Sequence, residues 1–229
     1  MRDIIWLIPD LQCKATILGF IQRNGFHHNL GCGPFRFSEQ EDLLVHPGHD
    51  PGVWKYSQVL LASKKDTHER SIIILDNDWD GSPGVAQIEA DIEQNMIASG
   101  WAQNRFEVIV IDPELESWIW QDNIHVEEAF DHARPPSLRD KLATLTLLPN
   151  GKLANAQPAL GQIPIWPVGD AKPPDPKSAV EAVTSMKSLG PVSAVFNEIA
   201  SKVGVGNCQD PAFQKLRATL QQWFPPQAQ

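Results

Sequence analysis

The fold of this chain is decided by one stretch, Ser71-Ile72-Ile73-Ile74-Leu75-Asp76-Asn77-Asp78-Trp79-Asp80-Gly81. Four branched apolar residues in succession predict a strand buried on both faces, as in a sheet covered by helices. The acids that follow would lie at the carboxyl end of this strand, where open α/β sheets bind their ligands. In an extended segment, Asp76, Asp78 and Asp80 point to the same side. Such carboxylates repel one another unless a cation intervenes, and Mg²⁺ takes oxygen ligands of this kind.

Two further apolar segments predict strands that also end in acids. Residues 4–8 are followed by Asp10, and residues 106–111 are followed by Asp112, Glu114 and Glu116. If the three strands are parallel and adjacent, their acids converge on one edge of the sheet. For residues 76–81 a polar turn is the competing interpretation, because Asp, Asn and Gly are ordinary turn residues. For Glu114 and Glu116 the alternative is a helix start, where the helix dipole favours acids.

Predicted strands and helices alternate along residues 1–130, which indicates an α/β core with a mostly parallel, Rossmann-like sheet flanked by helices. Within this core, residues 26–52 are rich in Gly, Pro and His and are predicted to be mostly loop. Residues 131–174 are rich in proline and predict a long irregular connection. Residues 175–229 predict a C-terminal helical region packed on the core.

Composition excludes several classes of protein. Of 229 residues, 42% are hydrophobic and 21% are charged, as in soluble globular proteins, and the formal net charge of −9 argues against a general nucleic-acid coat. Three widely spaced cysteines indicate neither a disulfide framework nor a metal knuckle and favour a reducing cytoplasm. The apolar run near the start is too short for a signal peptide, and no stretch approaches a membrane span.

Basic and histidine residues add weaker signals. Lys177, Lys215 and Arg217 are candidates for contacting a nucleic-acid backbone, with ordinary surface charge as the alternative. The segment His46-Pro47-Gly48-His49-Asp50 offers two imidazoles and a carboxylate to a transition metal, but its Pro-Gly centre is typical of a turn.

Several segments of the chain resemble the motifs of one protein family. The strand that ends in Asp-x-Asp-x-Asp-Gly at Asp76–Gly81 is similar to the acidic motif of Toprim domains, the catalytic fold of topoisomerases, primases and certain nucleases. The segment 111–118 resembles the third motif of small bacterial Toprim-like proteins found beside restriction and phage-defence genes. Segments 175–177 and 208–216 also resemble that group. One departure is evident, because Toprim domains usually carry a glutamate after the first strand, whereas this chain has Asp10.

The resemblance implies a metal-dependent nuclease that cleaves DNA or RNA in anti-phage defence, with other defence proteins as partners. Asp76, Asp78 and Asp80 would hold Mg²⁺ or Mn²⁺, and Asp10 and Glu116 would complete the catalytic set. Two alternatives stay open. The chain can be a catalytically degenerate Toprim-like subunit of a defence complex, which a tryptophan-rich exposed patch would support, or an enzyme acting on a small phosphorylated ligand, which a closed pocket above the acids would support.

Overall fold

The computed structural model describes residues 1–121, 123–149, 152–187, 189–206 and 208–226. Its main sheet consists of β1 (Arg2–Ile8), β2 (Leu43–Val45), β3 (His68–Asp76) and β4 (Phe106–Ile111). These strands are ordered β2-β1-β3-β4, and every neighbouring pair is parallel. The expected α/β class with a parallel sheet flanked by helices is therefore confirmed, and the topology is compatible with a Rossmann-like fold.

Helices surround this sheet in the part of the chain that the structure describes. They are α1 (Leu11–Ile21), α2 (Phe26–Leu30), α3 (Glu39–Asp42), α4 (His49–Leu61), α5 (Val85–Ala98), α6 (Glu116–Ile119), α7 (Ile124–Ala129), α8 (Leu138–Ala143), α9 (Pro176–Lys187), α10 (Val192–Lys202) and α11 (Pro211–Trp223). Across the described ranges, none of them combines the length and apolar character that crossing a bilayer demands.

The alternation of side chains along β3 divides the interior into two hydrophobic clusters. Ile72 and Ile74 face a large cluster that α1, α6, α7 and α9–α11 cover. Ile73 and Leu75 face a smaller cluster beneath α4 and α5. The strand is buried on both faces because each face has its own helical layer, as the run of apolar residues indicates.

The helices of residues 175–229 pack on the same face of the sheet as α1. Helix α10 approaches α1 so closely that a Cβ on Gly19 would lie 2.4 Å from the backbone oxygen of Asn197, and Asn197 Nδ2 donates to Ala15 O at 2.9 Å. Two tryptophans, one in α6 and one just after it, form hydrogen bonds to the starts of α9 and α11. Trp120 Nε1 donates to Pro176 O at 2.8 Å, and Trp118 Nε1 donates to Asp210 Oδ1 at 2.9 Å. The segments that resemble Toprim-like proteins thus meet in space.

Two segments contain more regular structure than their composition predicts. Within residues 26–52 the structure places α2, α3, β2 and the start of α4, and β2 pairs with β1. Within residues 131–174 it places α8 and an antiparallel hairpin of β5 (Leu145–Leu147) and β6 (Leu153–Asn155). The expectation of mostly loop over residues 26–52 is wrong, because helices and strands this short show no periodicity in sequence. Between their short elements, the described residues of 131–174 are largely irregular.

Helix α11 closes one edge of the sheet. Lys215 Nζ donates to the edge-strand carbonyl Val108 O at 2.7 Å and forms ion pairs with Glu89 and Glu107 at 2.8 and 3.0 Å. Burial would lower the pKa of Lys215, but these two glutamates raise it above its ordinary value. The lysine therefore satisfies an edge carbonyl of β4, a position where another chain would otherwise pair.

Candidate functional site

The connectivity of the sheet places a topological switch point between β1 and β3, the position called the crevice in open α/β sheets. The chain leaves β1 towards β2 on one side and returns to β3 on the other, so the strand order reverses at this point. Ligands of open α/β sheets bind outside the carboxyl ends of the strands at such a reversal. Asp10 directly follows β1 and Asp76 is the last residue of β3. Two of the predicted carboxylates thus flank the crevice.

Asp76 is the centre of the acidic group. Its side chain is partly buried. Loss of hydration raises the pKa of Asp76 well above its ordinary value, and the charges of Asp50, Glu116 and Asp10 raise it further, while the backbone amide of Leu115 partly offsets the rise. Each of these acids follows a different strand of the sheet. We call Asp10, Asp50, Asp76 and Glu116 the carboxylate cluster.

Asp50 is a member that sequence reasoning did not assign to this edge. It lies in the first turn of α4, and its Oδ1 accepts a hydrogen bond from the backbone amide of Asp76 at 2.8 Å. Burial and the charge of Asp10 raise the pKa of Asp50. The sequence signal for Asp50 is its position after a short apolar run, Leu43-Leu44-Val45, which forms β2. This signal is weak because the run lies in a segment whose composition predicts loop, and because Asp50 is next to histidines that suggest a different metal site.

The histidine segment has a structural role. His46 is buried, and its Nδ1 accepts from the backbone amide of Gly48 at 2.9 Å. A Cβ on Gly52 would lie 2.4 Å from the same nitrogen, so the imidazole packs directly on the first turns of α4. The segment therefore sets the position of α4, and hence of Asp50.

Asp10 has two roles in this arrangement. It is the N-cap of α1, where its Oδ1 accepts from the backbone amide of Cys13 at 2.8 Å. Its charge also raises the pKa values of Asp50, Asp76 and Glu116. The Asp10 carboxylate stands where Toprim domains usually carry glutamate. It therefore both caps α1 and acts electrostatically on the other three acids of the cluster.

Glu114 and Glu116 lie on the other side of the crevice, with Lys177 nearby. Glu114 is 4% exposed, and its Oε1 accepts from the backbone amide of Lys177 at 2.9 Å. Burial raises the pKa of Glu114 to about 7, with a further contribution from Glu116. Burial also raises the pKa of Glu116. Burial would lower the pKa of the Lys177 ammonium, but Glu114, Glu116 and Asp78 outweigh it and raise that pKa.

The remaining acids of the decisive stretch are more exposed. The backbone amides of Asn77 and Asp78 both donate to Pro113 O at 3.0 Å, and Asn77 Nδ2 donates to Asp112 Oδ1 at 3.0 Å, so the loops after β3 and β4 are joined. The side chains of Asp78 and Asp80 are exposed. Asp78 interacts electrostatically with Glu114 and Lys177. The assignment of Asp80 as a third ligand stays a prediction.

Of the three predicted nucleic-acid contacts, the structure brings one to this edge. Lys177 lies beside the acids, whereas Lys215 is paired with two glutamates at the edge of β4. Arg217 donates to the backbone oxygens of Leu30 and Gly206 at 3.1 and 3.2 Å. Lys215 and Arg217 therefore act as packing residues of α11 in this structure, and their role as nucleic-acid contacts stays a prediction.

The donor set of the cluster suits a hard divalent cation. All of its side chains are carboxylates, and no lysine or arginine among the described residues forms an ion pair within 4 Å of Asp10, Asp50, Asp76 or Glu116. Over those same residues, no three His, Cys, Asp or Glu side chains lie close enough together to hold a metal ion, so the carboxylates would have to move closer on binding. Oxygen donors that repel one another gain free energy when Mg²⁺ binds, so the chemistry of the donors fits that ion.

A small apolar cavity lies between α1, α6 and α10. Its volume is about 40 Å³, and it is lined mainly by apolar residues of α1, α6 and α10, including Phe20, Trp118 and Ile199. No carboxylate lines it. It therefore does not form a closed pocket above the acids of the kind a small phosphorylated ligand requires.

The raised pKa of Glu114 predicts a stability that falls with pH. The group titrates at 4.5 in the unfolded chain and at about 7 in the folded protein. The folded state thus holds an extra proton between these values, and its free energy of unfolding decreases as the pH rises across this window, by about 2–3 kcal/mol from this group.

Urea unfolding at pH 5 and pH 8 without divalent cations measures this difference. Glu114→Gln keeps an oxygen that accepts from the Lys177 amide but does not titrate. The fall in the free energy of unfolding between pH 5 and pH 8 should therefore be smaller in this variant by about 2–3 kcal/mol.

His46, whose pKa burial lowers, contributes to the pH dependence with the opposite sign. Asp50, Asp76 and Glu116, whose pKa values are raised, contribute with the same sign. All four are present in both proteins, so the difference between the two profiles reports Glu114 and its interaction with Glu116. An unchanged pH profile in Glu114→Gln contradicts the prediction.

Comparisons of the chain with models of known protein families, with curated proteins and with solved structures gave no match.

Proposed function

We propose that this protein cleaves phosphodiester bonds of DNA or RNA with Mg²⁺ or Mn²⁺ held by the carboxylate cluster. The observation that carries the proposal is the environment of the Asp76 carboxylate. This carboxylate is partly buried at the reversal of strand order, surrounded by acids from the other strand ends and without a paired lysine or arginine among the described residues. Titratable groups that lie in a cleft and have strongly shifted pKa values are found more often at functional sites than elsewhere.

The amino edge of the sheet supports this interpretation by contrast. There the buried Asp42 is paired with Arg2 at 2.7 Å and with His68 at 3.1 Å. Burial would raise the pKa of Asp42, but Arg2 and the amide of Ser38 hold it below its ordinary value. The same fold therefore neutralises a buried carboxylate where it serves structure. At the carboxyl edge, no lysine or arginine among the residues that the structure describes pairs with Asp76, and a bound cation would supply that compensation.

The residues have distinct roles in the proposed reaction. Asp76 and Asp50, joined through the Asp76 amide, would hold the cation together with Asp10, and Asp78 and Asp80 would orient or extend the site. Glu116 would act beside them, and Lys177 is placed to attract a phosphate. A divalent cation at this site would activate water and stabilise the leaving oxygen. Glu114 would hold a proton near neutral pH and buffer the charge between Glu116 and Lys177.

The finer assignment to a Toprim-like nuclease in anti-phage defence is carried over from the sequence resemblance. Two features support it: the parallel sheet, and the convergence of the resembling segments around α6. Fold-level analogy is weaker support for an activity than the geometry of a site. The carboxylate cluster therefore supports the nuclease chemistry, and the sequence resemblance supports the defence setting.

A degenerate subunit of a defence complex is the second candidate. Asp10 already caps α1, which is a structural task. Leu160, Ile163 and Val168 in the segment before α9 are 72%, 69% and 90% exposed, which suits a protein contact. A tryptophan-rich exposed patch containing Trp54, Trp101 or Trp166 would also favour this candidate; Trp101 and Trp166 are buried, at 2% and 1% exposed, whereas Trp54 is half-buried.

A cleavage assay separates the two candidates. Single- and double-stranded DNA and RNA are incubated with the protein and Mg²⁺ or Mn²⁺, and the products are compared with those of a variant carrying Asp76→Ala and Asp78→Ala. The matched control carries Asp66→Ala and Glu69→Ala, which remove two exposed acids at the opposite end of β3. Cleavage that persists in the control and is lost in the first variant supports the nuclease. If no substrate is cleaved and Mg²⁺ gives no thermal shift, the subunit is favoured.

A further inference from the structure

A pair of half-buried tryptophans lies beside the carboxylate cluster. Trp79 directly follows Asp78 in the loop after β3, and Trp54 lies one turn after Asp50 in α4. Their ring centroids are 6.3 Å apart, with an angle of 41° between the planes. Both rings pack with one side against the smaller hydrophobic cluster, so the pair belongs to the same edge of the sheet as the acids.

The orientation of Trp54 is held by polar contacts. Its Nε1 donates to Asp91 Oδ2 at 2.9 Å, and Gln87 Nε2 donates to Asp91 Oδ1 at 2.7 Å. The ammonium of the exposed Lys55 lies 5.2 Å from the centroid of the Trp54 ring. A surface depression lined by Trp54, Lys55 and Asp91 continues beside the ring. The site thus combines a fixed aromatic face with a cation, which is how proteins track single-stranded nucleic acids.

The two flanks of the crevice differ in chemistry. The tryptophans and Lys55 lie on the side of the sheet covered by α4 and α5, whereas Lys177 begins α9 on the opposite side. The carboxylate cluster lies between them at the strand ends. Lys177 and Lys55 can contact phosphates on either side of the cluster. Because the Lys55 ammonium lies over the Trp54 ring, a base that stacks on this ring displaces the ammonium towards a phosphate, and Trp79 offers the second ring.

We propose that Trp54 and Trp79 form a stacking platform for an unpaired base of a single-stranded nucleic acid whose backbone passes the carboxylate cluster; this inference rests on the proposed function. Base–aromatic stacking tolerates any base, because every base has a π-face. In a duplex the bases are already stacked and paired, so the platform favours single strands. The tryptophan pair therefore indicates that the substrate of the site is a single-stranded nucleic acid.

The test measures binding by fluorescence anisotropy of a short labelled single strand and of its duplex, with Ca²⁺ and the full chain. Trp79→Leu keeps the apolar contact with the core but removes the ring, and Trp79→Phe keeps a ring. We expect Trp79→Leu to raise the Kd for the single strand about 5- to 100-fold and Trp79→Phe to raise it much less. Duplex binding should be weaker than single-strand binding in the unaltered protein.

The matched control is Trp223→Leu. Trp223 is also half-buried beside a cation, because Arg70 lies 5.3 Å from its ring centroid, but it lies near the amino end of β3. Its replacement should leave the Kd unchanged. Equal affinities of Trp79→Leu and the unaltered protein, or no single-strand binding by either, overturn the platform.

These results are separate from those of the cleavage assay. Metal-dependent cleavage with equal affinities of the two proteins leaves the nuclease and removes the platform. Weakened binding in Trp79→Leu without cleavage by the unaltered protein supports the platform and removes the nuclease.

Discussion

Replacing Asp76 by Asn is expected to stabilise the cation-free protein at pH 8 by about 1–2 kcal/mol and to lower Mg²⁺-dependent cleavage at least about 100-fold. The gain in stability arises because the Asp76 carboxylate loses hydration and is repelled by Asp50, Glu116 and Asp10. Asparagine keeps the shape of the side chain and an oxygen facing the Leu115 amide but carries no charge. Activity falls because an amide oxygen is a weaker ligand for the cation.

The sign of the stability change is the informative part of this prediction. Most substitutions destabilise a protein by about 1 kcal/mol, so a stabilising change at a partly buried position indicates a site held for function. Urea unfolding in the presence of EDTA measures it. Asp66→Asn, at an exposed position before β3, is the matched control and should change stability by less than about 0.5 kcal/mol. A less stable Asp76→Asn variant contradicts the repulsion argued for the cluster.

Replacing Asp42 by Ala is expected to destabilise the protein by about 3–5 kcal/mol. Asp42 has no exposed surface and accepts hydrogen bonds from the Arg2 guanidinium, from the backbone amide of Ser38 at 2.7 Å and from His68 Nε2 at 3.1 Å. Arg2 and His68 are register partners on β1 and β3, so one carboxylate joins α3 to the amino ends of both strands. Its loss leaves several donors without an acceptor.

Thermal and urea unfolding measure the effect of Asp42→Ala. For a chain of this length the midpoint of thermal unfolding should fall by roughly 10 °C. Glu41→Ala is the matched control. Glu41 is the neighbouring acid and also pairs with Arg2, at 2.6 Å, but its side chain is 59% exposed, so its removal should cost less than about 1 kcal/mol. Equal losses in the two variants contradict the central role of Asp42.

The two edges of the sheet show how far sequence alone identifies a site. Asp42 and Asp76 are both acids next to strands, and their residue type is the same. At one edge an arginine and a histidine meet the carboxylate, and at the other edge three more carboxylates do. No local pattern separates these outcomes, because the partners come from other strands and other helices.

Local sequence did predict the strands that carry the site. The bounds of β4 agree with the prediction of residues 106–111, and β3 contains the predicted apolar run. The acids Asp10, Asp76 and Glu116 were placed at strand ends that the parallel sheet then brings to one edge. These predictions succeeded because long apolar runs that end in polar residues have few other uses in an α/β protein.

By itself, the sequence determined the class of the fold and the edge of the sheet at which the acids lie, because burial of β-branched runs and parallel crossovers follow from local residue order. Only the tertiary structure decided that Asp50 joins the carboxylate cluster, that Lys215 closes the edge of β4, and that Trp54 meets Trp79. Each of these contacts joins residues from different elements of the chain. The register and packing angles that create them depend on the whole interior at once.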